Sequence, residues 1–411
     1  MKKIYLDHAA TTYVSAEVKE AMDQFWSEYY GNPSALYSLG MEAAQALAGA
    51  RGRVAKILNC NSQELIFVGS GTESDNLALQ GVAKTMEVAA GPEGLRPGLR
   101  PGGRGEIIVS AIEHDAICNT ANYLKDLGWK LKIAKVDQDG LVDQDYFHSL
   151  ITDKTRIISI MYANNEIGTI QPITELVNIA KKKNKDIVFH TDACQASPYL
   201  SLDVEELGVD LMTLNASKVY GPKGVGLLYI KKGTKIKPII YGGGQEFDLR
   251  SGTENIPGIV GFTRALEIAQ AKREEESKRL IALRDKLISE LQSKIERVNL
   301  NGHATERLPN NINLTFEDIE GEAILLHLNE QGIMASTGSA CASHSLDVSH
   351  VLKAIGLPYE LIHGSIRFTM GLQTKEDDID CVVKAMTEIT EKLRAMSPVH
   401  LDRDQHPKVK K

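Results

Sequence analysis

Cysteine is scarce and scattered in this chain. The five residues, Cys60, Cys118, Cys194, Cys341 and Cys381, are odd in number, and no two form a Cys-X-X-Cys pair. That distribution argues against a disulfide scaffold and a structural zinc site, which both need thiols at close, regular spacing. Long apolar runs are missing as well. No stretch approaches the roughly 20 apolar residues that span a bilayer. The first residues, Met1-Lys2-Lys3-Ile4-Tyr5-Leu6-Asp7, meet an acid before a signal-like apolar run develops. A cytoplasmic protein with no membrane segment is expected. Positive charge is in deficit: 47 Lys+Arg against 54 Asp+Glu leave a net charge of -7. Nucleic-acid backbones need a basic footprint, so no direct nucleic-acid binding is expected, although Lys408, Lys410 and Lys411 form a basic end.

A chain of 411 residues suits one large domain and a smaller one. Short β-branched runs, Leu65–Val68, Ile107–Ser110, Ile157–Ile160, Ile187–His190 and Gly226–Ile230, alternate with helical stretches such as Thr174–Lys183. That order predicts an α/β fold around a mostly parallel, buried sheet. Residues 90–105 are rich in Gly, Pro and Arg and read as a surface loop. Arg96, Arg100 and Arg104 within them offer a weaker reading as a polyanion contact. From Pro257 the pattern predicts one long helix to about Glu296, with Pro257 in its first turn. The expected division is therefore a large domain over 15–256 and a small α+β domain over 257–397, joined by 1–14. A polar tail follows over 398–411.

Four constellations carry chemistry. In Val68-Gly69-Ser70-Gly71-Thr72-Glu73-Ser74-Asp75-Asn76 a strand runs through two glycines into a helix expected to begin near Ser74. Backbone N–H groups at such a turn favour a phosphate, while Thr72 or Ser74 as simple helix caps is an equal alternative. In Phe189-His190-Thr191-Asp192-Ala193-Cys194-Gln195 an acid closes a strand, where α/β sheets gather ligands. Asp192 there suits a protonated ring nitrogen, or else a helix cap. Lys218, inside Asn215-Ala216-Ser217-Lys218-Val219-Tyr220-Gly221-Pro222, suits Schiff-base chemistry if desolvated. Lys223, inside the glycine turn, reads as solvated. Cys341, in Ser336-Thr337-Gly338-Ser339-Ala340-Cys341-Ala342-Ser343-His344, lacks apolar flanks and suits a nucleophile more than a core thiol. The other four cysteines read as structural. Cys341, His344 and His350 lack a fourth ligand at metal spacing, so no metal is expected.

In this order, these elements resemble the NifS/IscS cysteine desulfurases of the class-V aminotransferase superfamily, group I. The resemblance spans nearly the whole chain. It includes Tyr5-Leu6-Asp7-His8-Ala9-Ala10-Thr11-Thr12, Gly31-Asn32-Pro33, Glu113-His114, Asn164-Asn165-Glu166-Ile167-Gly168, Arg250-Ser251-Gly252-Thr253-Glu254-Asn255 and Ile366-Arg367-Phe368. It implies a pyridoxal-phosphate (PLP) enzyme of fold type I that turns L-cysteine into L-alanine. The sulfur would rest as a persulfide on Cys341 and pass to an acceptor protein for iron–sulfur assembly or tRNA thiolation.

By the same resemblance Lys218 binds PLP covalently, Asp192 partners its ring nitrogen and Gln195 its phenolic oxygen. His114 stacks on the ring and shuttles protons. Gly71, Thr72, Asn215 and Ser217 hold the phosphate, joined by Thr253 of a neighbouring subunit, which implies a homodimer. Arg367 binds the substrate carboxylate with Asn165 and Asn32, a planar guanidinium being suited to a carboxylate.

The chain departs from the family's pattern in three places. Asn215-Ala216-Ser217 stands where many relatives have Ser-X-His, which implies weaker or differently made phosphate contacts. Residues 90–105 look like an insertion, and the tail is shorter and more polar than one that docks a scaffold partner. Two rival readings differ in what they need. Another class-V enzyme, an aminotransferase or selenocysteine lyase, shares Lys218, and an aminotransferase has no use for Cys341. A non-catalytic sulfur carrier has no use for Lys218.

Overall fold

The computed structural model describes residues 3–89, 105–337 and 348–396. Cys341, His344, the arginines of 90–105 and the polar tail lie outside the described residues.

A seven-stranded sheet forms the centre. In spatial order its strands are Leu65–Val68, Gly226–Ile230, Leu211–Asn215, Val188–Asp192, Thr155–Ser159, Glu106–Ser110 and Lys130–Ala134. All neighbours pair in parallel except Gly226–Ile230, which runs antiparallel to both of its partners. Side chains alternate between the faces, and both faces are buried. Leu65 and Phe67 enter one apolar cluster, with Ile108, Ile158, Met212 and Leu227. Ile66 and Val68 enter the other, with Ile107, Ile157, Leu211 and Leu228. A sheet covered on both sides explains why its strands read as continuous apolar runs.

A three-stranded antiparallel sheet, in the order Ser365–Thr369, Asn311–Phe316, Val298–Leu300, belongs to the second half of the chain. Ile4–Tyr5 pairs in parallel with Ile333–Met334, which brings the first residues beside this smaller sheet.

The long helix expected from Pro257 is two helices, Ile256–Ala271 and Arg273–Lys294. No proline or glycine breaks it; Lys272 does, by leaving the helical region (φ -99°, ψ 4°). The cause is tertiary. The first helix packs on Ala16–Ser27 and Ser38–Leu58, whereas the second packs on Glu376–Met396 and the smaller sheet. The two surfaces demand different axes. Between the large sheet and these helices, Glu246, Phe247 and Asp248 adopt positive φ (44°, 58° and 65°) without being glycine. The buried Arg51 guanidinium holds this loop with two bonds to Glu246, at 2.5 and 2.9 Å. Glu246 also accepts from the Phe67 N–H at 2.8 Å.

Candidate active site

The carboxyl ends of the parallel strands lie along one edge of the large sheet, and the turns leaving them carry most of the expected site residues. The helix after Val68 begins at Gly71, three residues before the expected start. Its cap is Ser70, whose Oγ accepts from the Glu73 N–H at 3.1 Å, so neither Thr72 nor Ser74 serves as the cap. Thr72 is exposed in the first turn. A Cβ on Gly71 would sit 3.0 Å from Cys194 Sγ and 3.4 Å from Asn215 Cβ. Glycine is therefore what lets three turns close around the first N–H groups of a 19-residue helix, an arrangement suited to an anion.

Asp192 is buried at the end of its strand, and its Oδ1 accepts from the Cys194 N–H at 2.9 Å. Turns rather than a helix follow it, so the helix-cap alternative does not hold. Lys218 ends a short 3-10 turn, Ala216–Lys218, which Asn215 caps by accepting from the Ser217 N–H at 3.2 Å. The Lys218 ammonium donates to the Ala9 carbonyl at 2.8 Å and to the Ala10 carbonyl at 2.7 Å. Burial lowers its pKa; the charge of Arg367 pushes the same way, while Cys194, Asp192 and Asp7 oppose it. Gln195 Nε2 donates to the same Ala9 oxygen at 3.0 Å. Lys223 is exposed, as expected, and donates to the Thr12 carbonyl at 3.3 Å.

Behind Asp192 lies a buried polar layer. His190 bonds Ser159 Oγ and Thr213 Oγ1, both at 2.9 Å, and its Nε2 is 3.7 Å from Asp75 Oδ1. Burial drops His190 to about 4, so the ring is neutral near physiological pH. Burial also raises Asp75, with the Asp192 charge adding to it. Glu113 is pushed up to about 8 by burial, against the bonds it accepts from Ser110 Oγ and the Met161 N–H. Burial thus disfavours the charged form of both deeper acids.

His114 caps helix Asp115–Asp126, with Nδ1 accepting from the Ala116 N–H at 3.1 Å. Its turn and the Asn165 turn are braced together: Met161 N–H bonds Glu113, and Asn164 Nδ2 donates to the Ile112 carbonyl at 2.8 Å. His350 is used structurally, its Nε2 donating to the Glu113 carbonyl at 2.8 Å. Beside it, Ser349 Oγ donates to Glu166 Oε2 at 2.6 Å. Among the described residues no group of His, Cys, Asp and Glu is arranged to hold a metal.

Arg367 reaches the site from the smaller sheet. Its Nη1 donates to the Asn165 carbonyl at 3.1 Å and its Nη2 to Asp7 Oδ1 at 2.7 Å. Asn32 and Thr253 are exposed and, among the described residues, make no side-chain hydrogen bond to the others. Asn32 Oδ1 accepts from the Ser34 N–H of its own turn at 2.9 Å. Of the cysteines read as structural, Cys194 is buried, Cys60 and Cys118 are half-buried and Cys381 is exposed on its helix. The residues that sequence reasoning left without a role are Asp7, Ala9 and Ala10. The only signal for them was their place in the Tyr5–Thr12 motif.

The residues present fit pyridoxal phosphate. A glycine-lined helix start for the phosphate, a buried acid for the ring nitrogen and a desolvated lysine all face one edge. The Aminotransferase class-V family model matches residues 4–382. The cysteine desulfurase IscS of Dictyoglomus turgidum is 47% identical over 397 residues, covering 97% of each chain. A solved NifS-like protein superposes with a TM-score of 0.87 at 38% identity, covering 95% of this chain and 100% of that one. SspA, solved in complex with cysteine, superposes with a TM-score of 0.76 at 33% identity, covering 90% and 99%.

Proposed function

Because the chain belongs to the aminotransferase class-V family and is a PLP-dependent cysteine desulfurase, we propose that Lys218 carries the cofactor and Cys341 takes the sulfur. The observation that carries this reading is the convergence on Lys218: a half-buried ammonium on two carbonyls, flanked by Asp192, Gln195 and the Gly71 helix start. When bound, PLP supplies a ring that accepts negative charge from the substrate Cα.

The chain's own residues do the rest. Lys218 Nζ would remove the Cα proton and return it, a role that a lowered pKa favours. Asp192 would hold the proton on the ring nitrogen, His114 would stack on the ring and move protons, and Gln195 would donate to the phenolic oxygen. The Gly71 and Thr72 N–H groups would hold the phosphate, with Asn215 and Ser217, and with Thr253 from a second subunit. Arg367 with Asn165 and Asn32 takes the substrate carboxylate. The Cys341 thiolate attacks the substrate sulfur, leaving a persulfide on the enzyme and alanine as product. An acceptor protein, for iron–sulfur assembly or tRNA thiolation, then takes the sulfur.

The two domains of this reading are 15–256 around the large sheet and 257–397 with 1–14 around the three-stranded one, and helix Ile256–Ala271 at their boundary packs on Ala16–Ser27 and Ser38–Leu58 of the first. An exposed apolar stretch beside Asn32, comprising Trp26, Tyr30, Leu36, Tyr37 and Met41, supports a homodimer. The helices that bound this stretch pack on Ile256–Ala271, which Thr253 leads into. Sedimentation showing a monomer at micromolar concentration would remove the dimer. The cysteines of the described residues are unpaired, which suits a reducing compartment and supports a cytoplasmic location.

The test is to supply L-cysteine and measure alanine and sulfide. Wild type forms both, and Lys218→Ala and Cys341→Ala form neither. A Cys341→Ala variant with full turnover would move the chain to a class-V activity that does not use this thiol.

A further inference from the structure

One short stretch of chain holds both cations of the site. Asp7 Oδ1 accepts from Arg367 Nη2 at 2.7 Å, and the carbonyls of Ala9 and Ala10 accept from Lys218. Asp7 is fixed in turn. It bridges to Thr369, two residues beyond Arg367 on the same strand. Its carbonyl accepts from the Tyr5 hydroxyl at 2.9 Å and from the Ala10 N–H at 3.1 Å. The Arg367 side chain is 2% exposed, and Asp7 is 20% exposed. A buried guanidinium is tolerated only with a well-placed acceptor, and its rigid fork passes any rotation on to whatever it binds. The Asp7 backbone is pinned to the strand that carries Arg367, which fixes where its side chain starts relative to the guanidinium.

We propose that Asp7 is a positioning residue for the substrate carboxylate, holding the Arg367 guanidinium in the orientation that receives L-cysteine. This rests on the reading of Arg367 as the carboxylate ligand. The essential property of Asp7 is an acceptor at Oδ1, more than its charge. Asn therefore preserves the function, while Glu, which keeps the charge and moves the acceptor, does not.

The test uses the PLP-loaded enzyme and three variants, Asp7→Ala, Asp7→Asn and Asp7→Glu. It reads KM and kcat for L-cysteine, and the dissociation constant of L-alanine from the change in cofactor absorbance. Losing a charged hydrogen bond predicts KM and the L-alanine constant raised about tenfold or more in Asp7→Ala and Asp7→Glu. In Asp7→Asn both stay within about threefold of wild type, and kcat stays within about threefold in all three. Tighter L-alanine binding on removal of Asp7 would make it a competitor and overturn the proposal. So would an unchanged constant in Asp7→Glu, an equal loss in Asp7→Asn and Asp7→Ala, or a loss confined to kcat. If Asp7→Ala does not fold, the contrast between Asn and Glu decides alone. A wild type that binds L-alanine but releases none from L-cysteine sinks the desulfurase reading, and the L-alanine constants still judge Asp7.

Discussion

Lys218 and Gln195 share one acceptor: both donate to the carbonyl oxygen of Ala9, at 2.8 and 3.0 Å. They come from turns after different strands, and the residue they meet on is 186 positions upstream of Gln195 and 209 upstream of Lys218. The N-terminal segment is therefore part of the site's wall. That contact also keeps the lysine amine oriented before any ligand arrives.

Lys218 is half-buried, and its desolvation lowers its pKa. In the cofactor-free protein the rate of PLP attachment is expected to rise with pH, with a midpoint below that of an exposed lysine (about 10.4). Stopped-flow absorbance measures it. The linkage sign follows: the folded state binds fewer protons here than the unfolded chain, so this residue's contribution to stability rises as pH passes from the folded pKa to the unfolded one.

Glu113 gives the opposite slope. Its folded pKa of about 8 lies above the ordinary glutamate value, so the folded state binds the extra proton. Its contribution is complete below the unfolded pKa and is lost as pH rises through about 8. Glu113→Gln, which cannot ionise, is expected to flatten this part of the melting-temperature profile between acidic and mildly alkaline pH. Equal slopes in both proteins would show that Glu113 titrates normally.

Gly71→Ala puts a Cβ 3.0 Å from Cys194 Sγ, in a buried corner with Asn215 at 3.4 Å. Overpacking of this kind costs about 1–3 kcal/mol. Because the corner is the proposed phosphate cradle, PLP affinity is expected to fall by about tenfold or more. Equilibrium titration of the apoenzyme checks this. Unchanged affinity would separate the phosphate from this helix start.

Arg51 and Glu246 form a buried pair, 8% and 6% exposed, that holds three consecutive residues at positive φ. Removing either partner strands a charge, so Glu246→Ala or Arg51→Ala is expected to destabilise the fold by about 3–5 kcal/mol. Urea unfolding measures it. The loop also leads to Arg250, which pairs with Glu73 at 2.9 Å near the Gly71 turn, so both variants should lose PLP affinity too.

The large sheet was legible from sequence because its strands are buried on both faces, and Leu65–Val68 and Gly226–Ile230 read as unbroken apolar runs. The break at Lys272 was not, because no residue there opposes a helix; the two packing surfaces do. The helix start was misplaced by three residues because a serine cap at Ser70 and a capping Thr72 look alike in sequence.

The roles proposed for Lys218 and Asp192 were readable because their chemistry is carried by their own residue types next to a strand end and a glycine turn. Asp7, Ala9 and Ala10 were invisible as parts of the site. Two of them act through carbonyl oxygens that every residue possesses, and Asp7 acts through an arginine 360 positions away. Local pattern sets which groups the chain offers. Which of those groups meet is settled by the pairing of Ile4–Tyr5 with Ile333–Met334 and of Asp7 with Thr369. Those contacts draw the N-terminal segment across the strand ends, where its backbone groups find partners.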